Sequence, residues 1–261
     1  MRSLSIAATG MLAQQLNVEV ISNNIANMNT TAYKRQRADF QDLLYQNVER
    51  IGANSADSGE IVPSGIQIGL GVKAGNVYRI TEQGNFLNTG NSIDVAIQGR
   101  GFLEVELPNG DQGYTRSGAL QMSPNGELVT ADGYLLTPSI TIPQDSEDIF
   151  INKTGEVQVK ISGQVDPTIV GQMQLSTFFN EAGLEAIGDN LFLETPASGP
   201  ASTGVAGSAG FGTLLQGFLE TSNVNPVNEI TSLITAQRAY EMNSKVIQAS
   251  DEMLSVTSNL R

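Results

Sequence analysis

Few side chains in this 261-residue chain could do chemistry, because it contains no His and no Cys. That removes the usual general base near neutral pH, the soft metal ligands and the thiol nucleophile. What remains is carboxylate chemistry. Glu104 and Glu106 alternate onto one face of an extended run, and Asp145 lies near Asp148. Two carboxylates flanking a bond are the apparatus of glycan hydrolysis. An acidic β surface generates such pairs by alternation alone, so a glycan-acting enzyme is the lesser reading. Gly99-Arg100-Gly101 lacks the GxxxxGK[ST] pattern of a phosphate loop, and Asn29-Thr30-Thr31 and Asn152-Lys153-Thr154 fit the glycosylation sequon at chance frequency. No catalytic, cofactor-binding or metal-binding residue is expected.

The elements that would position side chains divide the chain into three. Residues 81–225 hold 17 acidic against 4 basic side chains, which accounts for the entire net charge of −13, while the flanks together carry 10 of each. An acidic middle repels a phosphate backbone, which argues against nucleic acid as a partner. Neutral ends suit dense packing of identical segments. No apolar run approaches the length of a membrane span, and the stretch after Arg2 is interrupted by Ser5, Thr9 and Gly10. Neither membrane insertion nor a cleavable signal is expected. Without Cys, the fold is indifferent to the redox state of its compartment.

At the N-terminal end, Leu4, Ala7, Met11, Gln14, Val18, Ile21, Ile25 and Met28 follow a heptad spacing. They predict a helix about 39 Å long, stopped by Asn29-Thr30-Thr31. At the other end Ala239, Met242, Val246, Ala249, Met253, Val256 and Leu260 form one row, and Leu233, Tyr240, Ile247 and Leu254 a second beside it. This helix, entered after Asn225-Pro226, would run about 51 Å with a wide apolar face. The two helices could pair within one molecule or between molecules. A single N-terminal stripe leaves one C-terminal row uncovered, which favours contacts between subunits. The amides of Asn23, Asn24, Asn27 and Asn29 either set register between subunits or simply end the helix. The helices are expected to be largely unfolded until stacking supplies partners.

Between the ends the pattern alternates with period two and turns at Asn109-Gly110, Asn125-Gly126 and Asp132-Gly133, predicting antiparallel β structure. Residues 196–212, rich in Gly, Ser and Ala, read as a loop. Residues 46–65 have little periodicity and need a neighbour to become ordered.

Ser22-Asn23-Asn24-Ile25-Ala26-Asn27, then Asn29-Thr30 and Tyr33-Lys34-Arg35, stand near one end. Ser222-Asn223-Val224-Asn225 and Gln237-Arg238-Ala239-Tyr240-Glu241-Met242-Asn243-Ser244-Lys245 stand near the other. Together they resemble the paired terminal signatures of the bacterial flagellar rod and hook axial proteins. The segments 35–46 and 63–69, Asp94-Val95-Ala96-Ile97-Gln98-Gly99 and Tyr114-Thr115-Arg116 extend the likeness over nearly the whole chain, and toward the distal-rod members. Hook and proximal-rod subunits are the alternatives within the family. Where the family commonly has Gly before the aromatic, this chain has Ala32; if that turn demands a positive φ, the methyl costs about 1 kcal/mol.

The resemblance implies an α+β structural subunit that polymerises into a helical tube. Residues 1–30 with 226–261 would form a coiled-coil-like inner domain lining an export channel. Residues 31–79 would form an extended β bridge, with Pro63, Ser64 and Gly65 touching other subunits. Residues 80–225 would be a mainly antiparallel β outer domain, its acidity keeping rods apart. The implied partners are copies of itself, proximal rod proteins, hook protein, the surrounding ring bushing and the flagellar type III export apparatus. The implied place is the basal body, where the rod crosses the periplasm.

Overall fold

The computed structural model describes residues 2–48, 65–163 and 166–259. Pro63, Ser64 and Leu260, with residues 49–64 of the segment expected to bridge subunits, lie outside the described residues. The chain is α+β and forms two compact units. One comprises Met1–Ala26, Gln36–Tyr78 and Asn225–Arg261; the other comprises Asn27–Arg35 and Arg79–Val224.

In the first unit, helix α1 spans Arg2–Ala26 and α2 spans Pro226–Asn259. The start of α2 is written locally. Pro226 takes the first helical position, where its missing N–H costs nothing, and the Asn225 side-chain oxygen accepts the N–H groups of Val227 at 3.1 Å and Asn228 at 3.3 Å. α1 stops two residues earlier than the stripe through Met28 predicts. The chain turns at Asn27, whose carbonyl accepts the Thr30 N–H and whose side chain accepts the Thr30 hydroxyl. Met28 therefore lies beyond the helix and is exposed. No helix among the described residues is long and apolar enough to cross a membrane.

The same unit holds a two-stranded antiparallel ribbon. Gln36–Asp42 pairs with Val72–Arg79, and Tyr45–Asn47 pairs with Gln67–Gly69 in the register Tyr45↔Gly69, Gln46↔Ile68, Asn47↔Gln67. The pairing runs on through Leu43 N–H to Gly71 O and Val48 N–H to Ile66 O, both 2.8 Å. Directly opposed residues share a face, so Leu44, Val48, Ile66, Ile68 and Leu70 lie together, all exposed.

The second unit carries the core. Its largest sheet is antiparallel, in the order Glu185–Gly188, Leu191–Leu193, Gln112–Thr115, Leu103–Glu106, Leu135–Thr137, Leu128–Thr130, Leu120–Met122. Three of its hairpins close at the expected turns, with Gly110, Gly126 and Gly133 at φ of 85°, 82° and 87°, where a side chain would be strained. Smaller sheets place Glu156–Ile161 between Ser146–Ile151 and Thr168–Gln172, and pair Thr213–Gln216 with Val95–Gln98. Val95, Ile97, Leu103, Val105, Leu128, Leu136, Val157, Val159, Met173, Leu175 and Leu214 meet in one apolar cluster. A second, aromatic cluster stacks Phe102, Tyr114 and Phe178 edge to face, with Tyr114 and Phe178 centroids 4.8 Å apart. Burial, then the charges of Glu104 and Glu194, push the Tyr114 hydroxyl up to about 12.

One expectation is corrected here, and the lesser reading of a carboxylate pair loses its residues. Residues 196–212 are not simply a loop, because Ser202–Val205 pairs with Gln174–Thr177 and Ala206 joins the core. At Gly204 the missing side chain admits the Phe211 ring, which leaves no room for a Cβ there. Glu104 and Glu106 are not a working pair either. Glu104 is buried and accepts a bond from the Ser176 hydroxyl at 3.1 Å, whereas Glu106 is exposed.

Candidate functional site

The residues singled out at the two ends converge in two places. The first is the packing of α1 against α2. The helices run antiparallel, as three contacts fix: Ser3 with Ser250, whose hydroxyls are 3.3 Å apart, Gly10 with Asn243, and Asn24 with Glu229 at 3.2 Å. Along each helix the contacts recur every seven residues, so one α2 line, made of Glu229, Ala236, Asn243 and Ser250, lies against α1. A Cβ at Gly10 would come within 2.8 Å of the Asn243 amide, which would have to turn aside to admit it.

Asn24 is 1% exposed and closes this end. Its amide donates to Glu229 and to the Gln36 carbonyl at 2.8 Å, and its oxygen accepts the Gln36 N–H at 2.8 Å. One side chain thus ties α1 both to α2 and to the start of the ribbon. The Asn24 side chain fixes register between α1 and α2 of one chain. Ser22, Asn23 and Asn29 are exposed.

Of the two apolar rows on α2, the structure treats them differently. Leu233, Ile247 and Leu254 are half-buried beside the line of contact, as are Leu4, Met11, Val18 and Ile25 on α1, and Ile21 is buried. Met242, Val246, Met253 and Val256 are exposed, and nearer the start of the helix Val227, Ile230 and Ile234 are exposed on other faces. Tyr240, a member of the same row as Leu233, Ile247 and Leu254, is 44% exposed. Gln237 and Arg238 are exposed, and Ala239 and Ser244 half-buried. The line that touches α1 was not legible as a stripe because its members are small or polar. The one available signal was their seven-residue spacing.

The two units differ sharply in how they bury apolar side chains. Both large apolar clusters lie in the second unit. Of 24 large hydrophobic side chains exposed among the described residues, 16 belong to the first unit, though it is the smaller. Large side chains left in water at that density mark an interaction surface.

The second place is in the second unit, where the remaining signature residues meet. Ala32 adopts φ 57°, and its N–H donates to the Glu220 carbonyl at 2.8 Å. The turn does demand the left-handed region, so Ala32→Gly should raise the unfolding free energy, by at most about 1 kcal/mol because glycine also frees the unfolded chain. Equilibrium urea unfolding measures it. Asn223 accepts the Arg35 N–H at 2.7 Å and donates to the carbonyls of Ile80 and Glu82. Ser222, buried, accepts the Val224 N–H.

Beneath these lies a buried ion triad. The Glu220 carboxylate takes Lys34 Nζ at 2.6 Å and Arg116 Nε at 2.7 Å, and accepts the Gly84 N–H at 2.9 Å. Arg116 spends its other protons on the carbonyls of Ile97, Gly99 and Gly101. Burial alone would push the Glu220 carboxyl up, but Arg116, Lys34 and the Gly84 N–H outweigh it and hold it below the usual carboxylate range. Burial, and then the Arg116 charge, pull the Lys34 ammonium below its ordinary value despite Glu220. Glu220 was not singled out in the sequence, where it stands 186 residues from Lys34.

Known proteins show the same arrangement of segments. Residues 4–34 match the flagella basal body rod protein family, residues 96–159 the flagellar hook protein FlgE/F/G D1 domain, and residues 215–260 the flagellar basal body rod FlgEFG protein C-terminal family. The chain is 62% identical to the flagellar basal-body rod protein FlgG of Caulobacter vibrioides over the full length of both. It is 53% identical to the protein of that name from Agrobacterium fabrum, over 99% of this chain and 98% of the relative. Against the one from Borreliella burgdorferi it is 47% identical, over 100% and 99%. The likeness spans both helical ends and the β unit between them, so the chain belongs to the flagellar basal-body rod protein family, as a structural subunit of the distal rod and not an enzyme.

Proposed function

We propose that the chain polymerises into a helical tube that serves as the drive shaft between motor and hook, with α1 and α2 lining a central export channel. The observation that carries this is the exposed row of α2, Met242, Val246, Met253 and Val256, in a unit with no large apolar cluster of its own among the described residues. A neighbouring copy covering that row in coiled-coil fashion would bury it and supply the order the first unit lacks alone.

The ribbon ending at Val48 and Ile66 would extend to subunits in neighbouring turns, the segment with Pro63, Ser64 and Gly65 at its tip. Many such contacts per subunit resist twist, which is what torque transmission requires. The acidic unit would face outward, where like charge keeps rods apart and eases rotation in a surrounding ring. Proximal rod proteins below, hook protein above and the type III export apparatus complete the proposed set of partners, with the rod crossing the periplasm.

Electron microscopy of purified assemblies tests the reading. Straight tubes with a central channel are expected; curved tubes would favour a hook subunit, and discrete small oligomers would refute polymerisation.

A further inference from the structure

Phe179, in the second unit, is 99% exposed, more than any other large apolar side chain among the described residues. It does not sit on a loose tip. Before it, Phe178 is buried in the aromatic cluster, and the Phe178 carbonyl accepts a bond from Arg100 Nη2 at 3.0 Å. After it, Asn180 donates its N–H to the Ser198 carbonyl at 3.3 Å and its amide to the Ala197 carbonyl at 3.1 Å. The chain on either side is therefore fixed, and a partner gripping the ring would have little freedom to remove. Arg100 stands beside it with its side chain 62% exposed. Its Nε goes to Glu181 at 2.9 Å, and its Nη1 protons have no partner among the described residues. An aromatic ring next to an arginine is the composition of an interface anchor.

The complementary surface lies at the other end of the same strand. Phe102 pairs with Ser176 in the antiparallel sense, which sets Phe179 at the end of the unit where Leu103–Glu106 begins. Where that strand ends, Leu107, Pro108, Tyr134 and Leu135 line an open groove of about 320 Å³ between the turns at Gly110 and Gly133. The groove is acidic. Glu106 lines it, Asp111 and Asp132 are exposed in the two turns that flank it, and no cation is among its lining residues. Residues 81–225 hold only four basic side chains, and one of these, Arg116, is buried in the triad. Arg100 is thus one of three left to meet acidic surface. A ring with a cation stands at one end of the strand, and an apolar groove with carboxylates stands at the other, about 20 Å away.

We propose that Phe179 of one copy seats in the groove of Leu107, Pro108, Tyr134 and Leu135 of the next, with Arg100 answering Glu106 and the carboxylates beside it. The second units then stack head to tail. The two surfaces differ and lie at opposite ends, so a copy cannot satisfy itself, and every contact leaves a ring and a groove free for a further copy. A polymer of one chain supplies one groove for each ring. Arg100 offsets the repulsion that would otherwise keep two acidic ends apart. The inference rests on the reading that copies polymerise, and it adds a contact through the second unit to the one made through α2.

Two measurements on the full chain test it. Ala182→Cys and Asn109→Cys together place one thiol beside the ring and one beside the groove, both at exposed positions that leave Phe179 and Pro108 in place. Treated with a short bismaleimide in assembled tubes, this chain should give a ladder of covalent dimers, trimers and longer products on a denaturing gel, and either cysteine alone should give no ladder. Phe179→Ala should raise the critical concentration at least about 30-fold while leaving the unfolding midpoint of the second unit unchanged, since the ring it removes is exposed. Tubes of the double variant without a ladder, or an unchanged critical concentration in Phe179→Ala, would overturn the proposal and leave assembly through α2 standing. A cross-link in whole cells from Ala182→Cys to a different protein, with no ladder, counts against it in the same way. A natural chain that forms no tubes would overturn both.

Discussion

Replacing Glu220 by Gln lowers the stability of the second unit by about 3–5 kcal/mol, because it leaves Lys34 and Arg116 buried without a counter-charge. The isosteric amide keeps the volume but aims a donor at donors. In a unit of this size the loss appears as a fall in unfolding midpoint of about 10 °C. Lys34→Met is the informative companion. It removes one of two cations and leaves Glu220 paired with Arg116, so it should cost less than half as much. Equal losses would mean that the triad acts only as packing. Acid provides a second handle. The folded Glu220 pKa lies below the unfolded one, so its contribution is complete above the unfolded carboxylate value of about 4.3 and fades as pH falls through the lower folded value. The natural chain should therefore lose stability below about pH 4 more steeply than Glu220→Gln.

A charge on the exposed row of α2 should abolish assembly while sparing the subunit. Val246→Asp places a carboxylate in water in the free chain, where a surface change is worth at most about 0.5 kcal/mol. Once a neighbour covers the row, the same charge is buried unpaired, costing about 3–5 kcal/mol per subunit. That raises the critical concentration by a factor on the order of 100–1,000. Ile247→Asp, one position round the helix on the side facing α1, should destabilise the free subunit as well. Sedimentation of each variant separates the two effects. If Val246→Asp assembled at the natural concentration, the row would not be an interface.

The helices were legible because heptad spacing sustained over seven or eight positions rarely arises by chance. Which face of α2 meets its own α1 was not. The contact line runs through Glu229, Ala236, Asn243 and Ser250, residues that hydropathy passes over, while the more apolar row is the one left open. The hairpins could be read from Asn-Gly and Asp-Gly because those turns need φ values that glycine supplies. The strand Ser202–Val205 escaped notice because Gly204, whose missing side chain admits the Phe211 ring, leaves no alternation to mark it. The triad joins residues far apart in the chain, and periodicity carries no signal of such a pairing. Lys34 stood out only through a family pattern, and its partner Glu220 did not stand out at all.

The absence of cysteine allows a direct probe of the central claim, since one introduced thiol reports from one position. Val246→Cys should react readily with a maleimide in the free subunit and be protected in assembled tubes. Asp132→Cys, in a turn of the second unit, should react in both. Protection of Val246→Cys on assembly is the result expected if copies join through this row; undiminished labelling in intact tubes would contradict it.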